Sequence, residues 1–81
     1  MQESEIVNKL DVIFKNVFAD ESIQISPDLT ADDVEGWDSL SHVDMIVSVE
    51  EEFQIRLTTR EVASLKNVGN LIQIIQNKKT V

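Results

Sequence analysis

Ser39 is the residue with the clearest chemical opening. It follows Asp38 where an apolar repeat of helical period begins. The aspartate carboxylate can therefore cap the first turn, which leaves the serine hydroxyl at the positive end of a helix dipole. A phosphate esterified to that hydroxyl would be favourably placed. Serines also gather at helix starts simply because they cap them, so position alone decides nothing. His42 lies one turn further on, and a serine beside a histidine raises the question of hydrolysis. No Gly-x-Ser-x-Gly elbow surrounds Ser39 and no oxyanion loop is evident, so no catalytic residue is assigned. His42 reads instead as a surface residue or a contact for partners near Ser39. The acidic run from Asp28 to Glu35 lacks the glycine and the spacing of an EF-hand, and no metal site is assigned to it. The chain has no cysteine, so any thiol chemistry must be imported.

The elements that must position Ser39 follow from the apolar spacing. Ile6, Val7, Leu10, Ile13, Phe14, Val17 and Phe18 recur every three or four residues and predict a first helix that Ser4 can cap. From Ala19 to Trp37 the period breaks, with Ser26-Pro27-Asp28 as a turn signal. A connection that long must be pinned to the core, and Ile23, Ile25, Leu29, Val34 and Trp37 are its candidate anchors. A second helix runs from Ser39 to about Phe53 and carries two apolar faces. Met45, Ile46, Val49 and Phe53 follow a core spacing. Leu40, Val43 and Val47 lie on a neighbouring face, which is either a wide core stripe or an exposed strip for partners. Thr58 and Glu61 have capping-box spacing and open a short helix through Val62 and Leu65. Asn67 can cap a last helix with Val68, Leu71, Ile72, Ile74 and Ile75. The expected fold is all-α: a small four-helix bundle of three longer helices and one short one, with the long loop between the first two.

Eighty-one residues bound what this bundle can do, since a chain of that size builds one modest core and no large internal active site. A single domain over residues 1–81 is expected. The formal charge of -8 repels nucleic acid and anionic lipid, and favours a basic protein partner. Between Asp28 and Glu52 the acids are Asp28, Asp32, Asp33, Glu35, Asp38, Asp44, Glu50, Glu51 and Glu52, with no Lys or Arg among them. That stretch is either a docking surface or a solvated face kept for solubility. The N-terminal segment lacks the basic region of a signal peptide, and no apolar run approaches the about 20 residues of a membrane span. A cytoplasmic monomer without membrane insertion is expected.

Taken together, Asp38-Ser39-Leu40, then Val43, Asp44 and Ile46, the run Glu50-Glu51-Glu52-Phe53, and Leu57 and Val68 resemble the acyl carrier protein family in order and spacing without a gap. The resemblance covers about half the chain. It implies that a phosphopantetheinyl transferase moves 4'-phosphopantetheine from coenzyme A, with magnesium, onto Ser39. The terminal thiol of that arm would then hold an acyl group as a thioester. Asp38 would help position magnesium and the transferase. Leu40, Val43 and Val47, with Asp44, Glu50 and Glu51, would contact partner enzymes that present basic docking patches: acyl transferases, ligases and synthases. Met45, Ile46, Val49, Leu57, Val62 and Leu65 would line an acyl pocket or serve as ordinary core. The residues around the motif, Gly36-Trp37 and Ser41-His42, differ from the small residue before and the acid after that housekeeping fatty-acid carriers usually show. Trp37 is similar to stand-alone carriers and to peptidyl or aminoacyl carrier domains, and it can equally be a buried loop anchor. The remaining alternative is an unmodified helical interaction module.

Overall fold

The computed structural model describes residues 2–79. Its α-helices are α1 (Glu3–Phe18), α2 (Ser39–Phe53), α3 (Thr59–Ser64) and α4 (Val68–Lys79), with a 3-10 turn at Ala31–Asp33 in the loop between α1 and α2. Among the described residues there is no strand. The all-α bundle expected from the sequence is what the chain forms.

Each helix is set by its ends as much as by its stripe. Ser4 does not cap α1: the helix starts two residues earlier than a Ser4 cap would set it, with Gln2 at the cap position and no side-chain bond there. Glu3 and Glu5 in the first turn explain the difference, because two carboxylates complement the helix dipole and the helix can begin without a hydroxyl cap. α1 and α2 stop at Ala19 and Gln54, each in the left-handed region, whose N–H groups turn back to the Lys15 and Glu50 carbonyls. Thr58 and Glu61 form the expected capping box on α3, and the Asn70 N–H donates to the Asn67 side chain at the start of α4 at 2.9 Å.

The stripes meet in one core. Ile6, Leu10, Ile13 and Phe14 of α1 pack against Met45, Ile46, Val49 and Phe53 of α2 and Val68, Leu71, Ile72 and Ile75 of α4. Burying side chains of this size contributes about 1.5–3 kcal/mol each, and this burial is the main stabilising term. α3 has no buried residue and closes one side with Val62 and Leu65, which are partly covered. Among the described residues two ion pairs lie across helices, Lys9 to Glu52 at 3.2 Å and Lys78 to Glu61 at 3.0 Å; both are partly solvated and weak by comparison. Lys79 Nζ also donates to the Phe53 carbonyl at the C-terminal end of α2, at 3.0 Å.

The long loop is pinned where its apolar residues fall. Ile23 and Val34 are buried in the core, and Ile25, Leu29 and Trp37 are partly buried against it. Its middle is held by backbone bonds to α4: the Val68 and Gly69 N–H groups donate to the Leu29 and Pro27 carbonyls at 2.9 and 3.0 Å. These bonds satisfy two donors that a helix start leaves without intrahelical partners. The approach favours glycine, since a Cβ at position 69 would lie 3.0 Å from the Pro27 oxygen and 3.3 Å from its Cβ, so the loop would have to give by a few tenths of an ångström. Gly69→Val is therefore expected to lower stability by about 1–3 kcal/mol through this overpacking. Urea unfolding measures it; an unchanged midpoint would mean that the loop yields at Pro27 without cost.

Candidate functional site

The turn that presents Ser39 is built by three neighbours. Gly36 has φ +88° in open surroundings, a backbone state that glycine adopts without strain. Asp38 then caps α2: its Oδ1 accepts from the Leu40 and Ser41 N–H groups, both at 3.0 Å. Ser41 returns the favour, accepting from the Asp38 N–H at 2.8 Å and donating its hydroxyl to the Gly36 carbonyl at 2.7 Å. The Asp38 cap is legible in the sequence. Ser41's part is not obvious there, although an Asp-x-x-Ser spacing is the signal that finds it. The Ser41 N–H, first, and then the Ser41 hydroxyl hold the Asp38 carboxyl below its ordinary pKa. Asp38 is therefore a charged cap at neutral pH.

Ser39 is exposed in the first turn of α2, and among the described residues its hydroxyl makes no protein hydrogen bond. A hydroxyl with no structural duty is available for modification. Beside it lies an open cleft of about 500 Å³ between the start of α2 and α3, lined by Ala31, Trp37, Asp38, His42, Val62, Ala63 and Leu65. The cleft therefore offers apolar walls, one carboxylate and two aromatic side chains next to the hydroxyl. A group esterified to Ser39 has room along this open cleft, and the residues present fit a flexible phosphate-linked arm.

Trp37 takes the loop-anchor role, partly buried against the core, and it also borders the cleft beside Ser39. Its ring meets Phe14 edge-on at 5.4 Å and Phe18 at 5.7 Å. Its Nε1 donates to His42 Nδ1 at 3.0 Å, and the two ring planes are only 18° apart. Sequence reasoning places Trp37 and His42 near Ser39 without pairing them. Their separation of five residues crosses a loop-to-helix boundary, so no helical spacing signals the bond.

The other face of α2 is bare. Leu40, Val43 and Val47 are 75%, 55% and 46% exposed, so the wide-core reading of these three is excluded. Their acidic neighbours divide in a way that the sequence does not show. Glu50 accepts from the Leu57 N–H at 2.9 Å, and Glu52 pairs with Lys9. Asp33 accepts from the Thr30 N–H at 3.1 Å. Asp44 and Glu51 are exposed and, among the described residues, carry no such bond. With Asp38, four of the nine acids of the stretch therefore hold structure as well as carrying charge. Of the residues expected to line a pocket, Ile46, Leu57 and Val62 border a second cleft of about 280 Å³ between α2 and α3, next to Val43 and Val47. Leu65 borders the Ser39 cleft instead. Met45 and Val49 lie behind, fully buried in the core. No group of three or more His, Cys, Asp or Glu able to hold a metal ion occurs among the described residues, and no helix there is long and apolar enough to cross a membrane.

Residues 8–75 match the family model described as a phosphopantetheine attachment site. An acyl carrier protein of Thermosynechococcus vestitus is 32% identical over 79 residues, covering 96% of both chains. One from Buchnera aphidicola is 37% identical over 73 residues, covering 90% of this chain and 81% of its own. Among solved structures, the solution structure of holo acyl carrier protein from Geobacter metallireducens superposes with a TM-score of 0.86 at 39% identity, over 91% of this chain and 85% of that one.

Proposed function

The chain belongs to the acyl carrier protein family, non-catalytic carriers with a 4'-phosphopantetheine group, and from that premise we propose that Ser39 is the attachment point and that the cargo consists of acyl intermediates of fatty-acid, polyketide or related biosynthesis. The observation that carries this reading is the uncommitted hydroxyl of Ser39 at the capped start of α2. The arm supplies a terminal thiol on which an acyl group rides as a thioester, a function that a chain without cysteine cannot supply itself.

This chain's own residues do the positioning. The Asp38 carboxylate uses Oδ1 on the helix N–H groups. Its other oxygen would be available to a magnesium ion brought with coenzyme A and the transferase. Leu40, Val43 and Val47 present a small apolar contact, and Asp44, Glu50 and Glu51 surround it with charge. Long-range attraction speeds encounter with a basic patch, while the small contact keeps the complex short-lived, as suits a carrier visiting enzymes in turn. Ile46, Leu57 and Val62 line the cleft in which an acyl chain can shelter. The reading treats residues 1–81 as one carrier domain acting as a monomer in the cytoplasm. An aminoacyl or peptidyl cargo is the second reading, favoured by Trp37 before the motif.

Mixing the purified chain with coenzyme A, magnesium and a broad-specificity phosphopantetheinyl transferase tests the proposal; intact mass should rise by one phosphopantetheine, and no rise would refute it. The docking strip has its own test at Glu51, which carries charge without holding structure. Glu51→Lys should slow modification about tenfold at low salt and flatten its salt dependence. Equal rates would remove Glu51 from the docking surface. Glu50 is a poorer probe, because reversing it also removes the acceptor of the Leu57 N–H.

A further inference from the structure

The geometry points to His42 as a donor to the phosphodiester that attaches the arm, held in the donating tautomer by Trp37. The inference rests on attachment at Ser39. Indole Nε1 can only donate, so the 3.0 Å bond from Trp37 requires His42 Nδ1 to be an unprotonated acceptor. The proton of the neutral imidazole must then be on Nε2. That Nε2–H has no protein acceptor among the described residues, and His42 borders the cleft beside Ser39. Residues 39 and 42 are one turn apart on α2, and helical side chains lean toward the N-terminus, so the imidazole is carried toward the serine.

A side-chain donor has a place here because two of the first backbone N–H groups of α2 are already committed. An anion at a helix start is ordinarily held by the first backbone N–H groups. Here the Leu40 and Ser41 N–H groups both go to Asp38 Oδ1. No Lys or Arg lines the cleft, and the Trp37 N–H is committed to His42. Asp38 adds a negative charge that opposes the phosphodiester. The His42 Nε2–H is the side-chain donor that remains. It would fix where the arm leaves the helix.

The test uses the loaded protein, with attachment at Ser39 established first by the mass gain and its absence in Ser39→Ala. At about pH 8, above the ordinary histidine range, imidazole 15N and 1H signals are recorded before and after loading. On loading, the His42 Nε2–H should move downfield and exchange with solvent about tenfold more slowly, as one charge-assisted hydrogen bond implies. An Nε2–H unmoved by loading overturns the proposal. The 31P resonance of the phosphodiester gives a second readout. It should differ between wild type and His42→Phe, and His42→Gln, which keeps a donor, should bring it back toward wild type. Equal 31P positions in wild type and His42→Phe, or a change that His42→Gln does not reverse, also overturn it. A wild-type chain that takes no arm at all fails at the earlier step, so the two failures are told apart by mass alone.

Discussion

Ser39→Ala is expected to abolish loading with 4'-phosphopantetheine completely while leaving helical content and thermal midpoint within error of the wild type. The two halves of that expectation come from different physics. Loading needs an oxygen nucleophile to attack the phosphate of coenzyme A, and a methyl group supplies none, so the loss is total and not graded. Stability is untouched because the Ser39 hydroxyl has no hydrogen-bond partner among the described residues and the side chain is exposed. The cap belongs to Asp38, and Ser41 supports it. Exposed substitutions away from caps and cores stay within about 0.5 kcal/mol. Intact mass after incubation with transferase, and thermal unfolding followed by circular dichroism, check the two halves separately. A full mass gain on the alanine variant would move the attachment point elsewhere. A large fall in stability would show the hydroxyl to be a structural cap after all.

The features of the site that the sequence discloses are those governed by local rules. Asp38 as a cap, the Thr58 and Glu61 box and the core stripe of α2 depend on neighbours within one or two turns, and helical periodicity encodes such neighbours directly. The exposure of Leu40, Val43 and Val47 is less direct. It follows from a volume argument, since one modest core cannot bury two faces of α2 and, among the described residues, no element covers the second. What remains hidden depends on how the loop returns. The Trp37 to His42 bond, the seating of Trp37 on Phe14 and Phe18, and the backbone ties from Pro27 and Leu29 to α4 join residues whose proximity no spacing encodes. Charge misleads for a related reason. Asp44, Glu50, Glu51 and Glu52 look alike in sequence, yet Glu50 bonds the nearby Leu57 N–H and Glu52 pairs with Lys9 of α1, while Asp44 and Glu51 have no such partner among the described residues. The start of α1 fails at the smallest scale, where two glutamates outweigh a nearby serine in setting the first turn.

Phe14→Ala is the second large effect expected, and it reaches the site from the far side of the core. Phe14 is fully buried, lies 5.5 Å from the Phe18 ring and receives Trp37 edge-on at 5.4 Å. Truncating such a residue costs about 3–5 kcal/mol, because the transfer energy is lost and the cavity cannot fully collapse. A domain of this length has about 4–12 kcal/mol in all, at the usual stability per residue. The variant should therefore be marginal at room temperature, with a thermal midpoint lower by about 12 °C or more. The loss should also be felt at the motif. Trp37 rests on Phe14, His42 is bonded to Trp37, and both border the cleft beside Ser39. Trp37 fluorescence should redden in whatever fraction stays folded, and loading should slow beyond what the unfolded fraction explains. Phe14→Leu, which fills most of the space, should keep the fold and lose less of both. A cost below about 1 kcal/mol for Phe14→Ala would mean that the aromatic cluster is not what fastens the long loop to α1, and the mounting of Trp37 behind Ser39 would need another source.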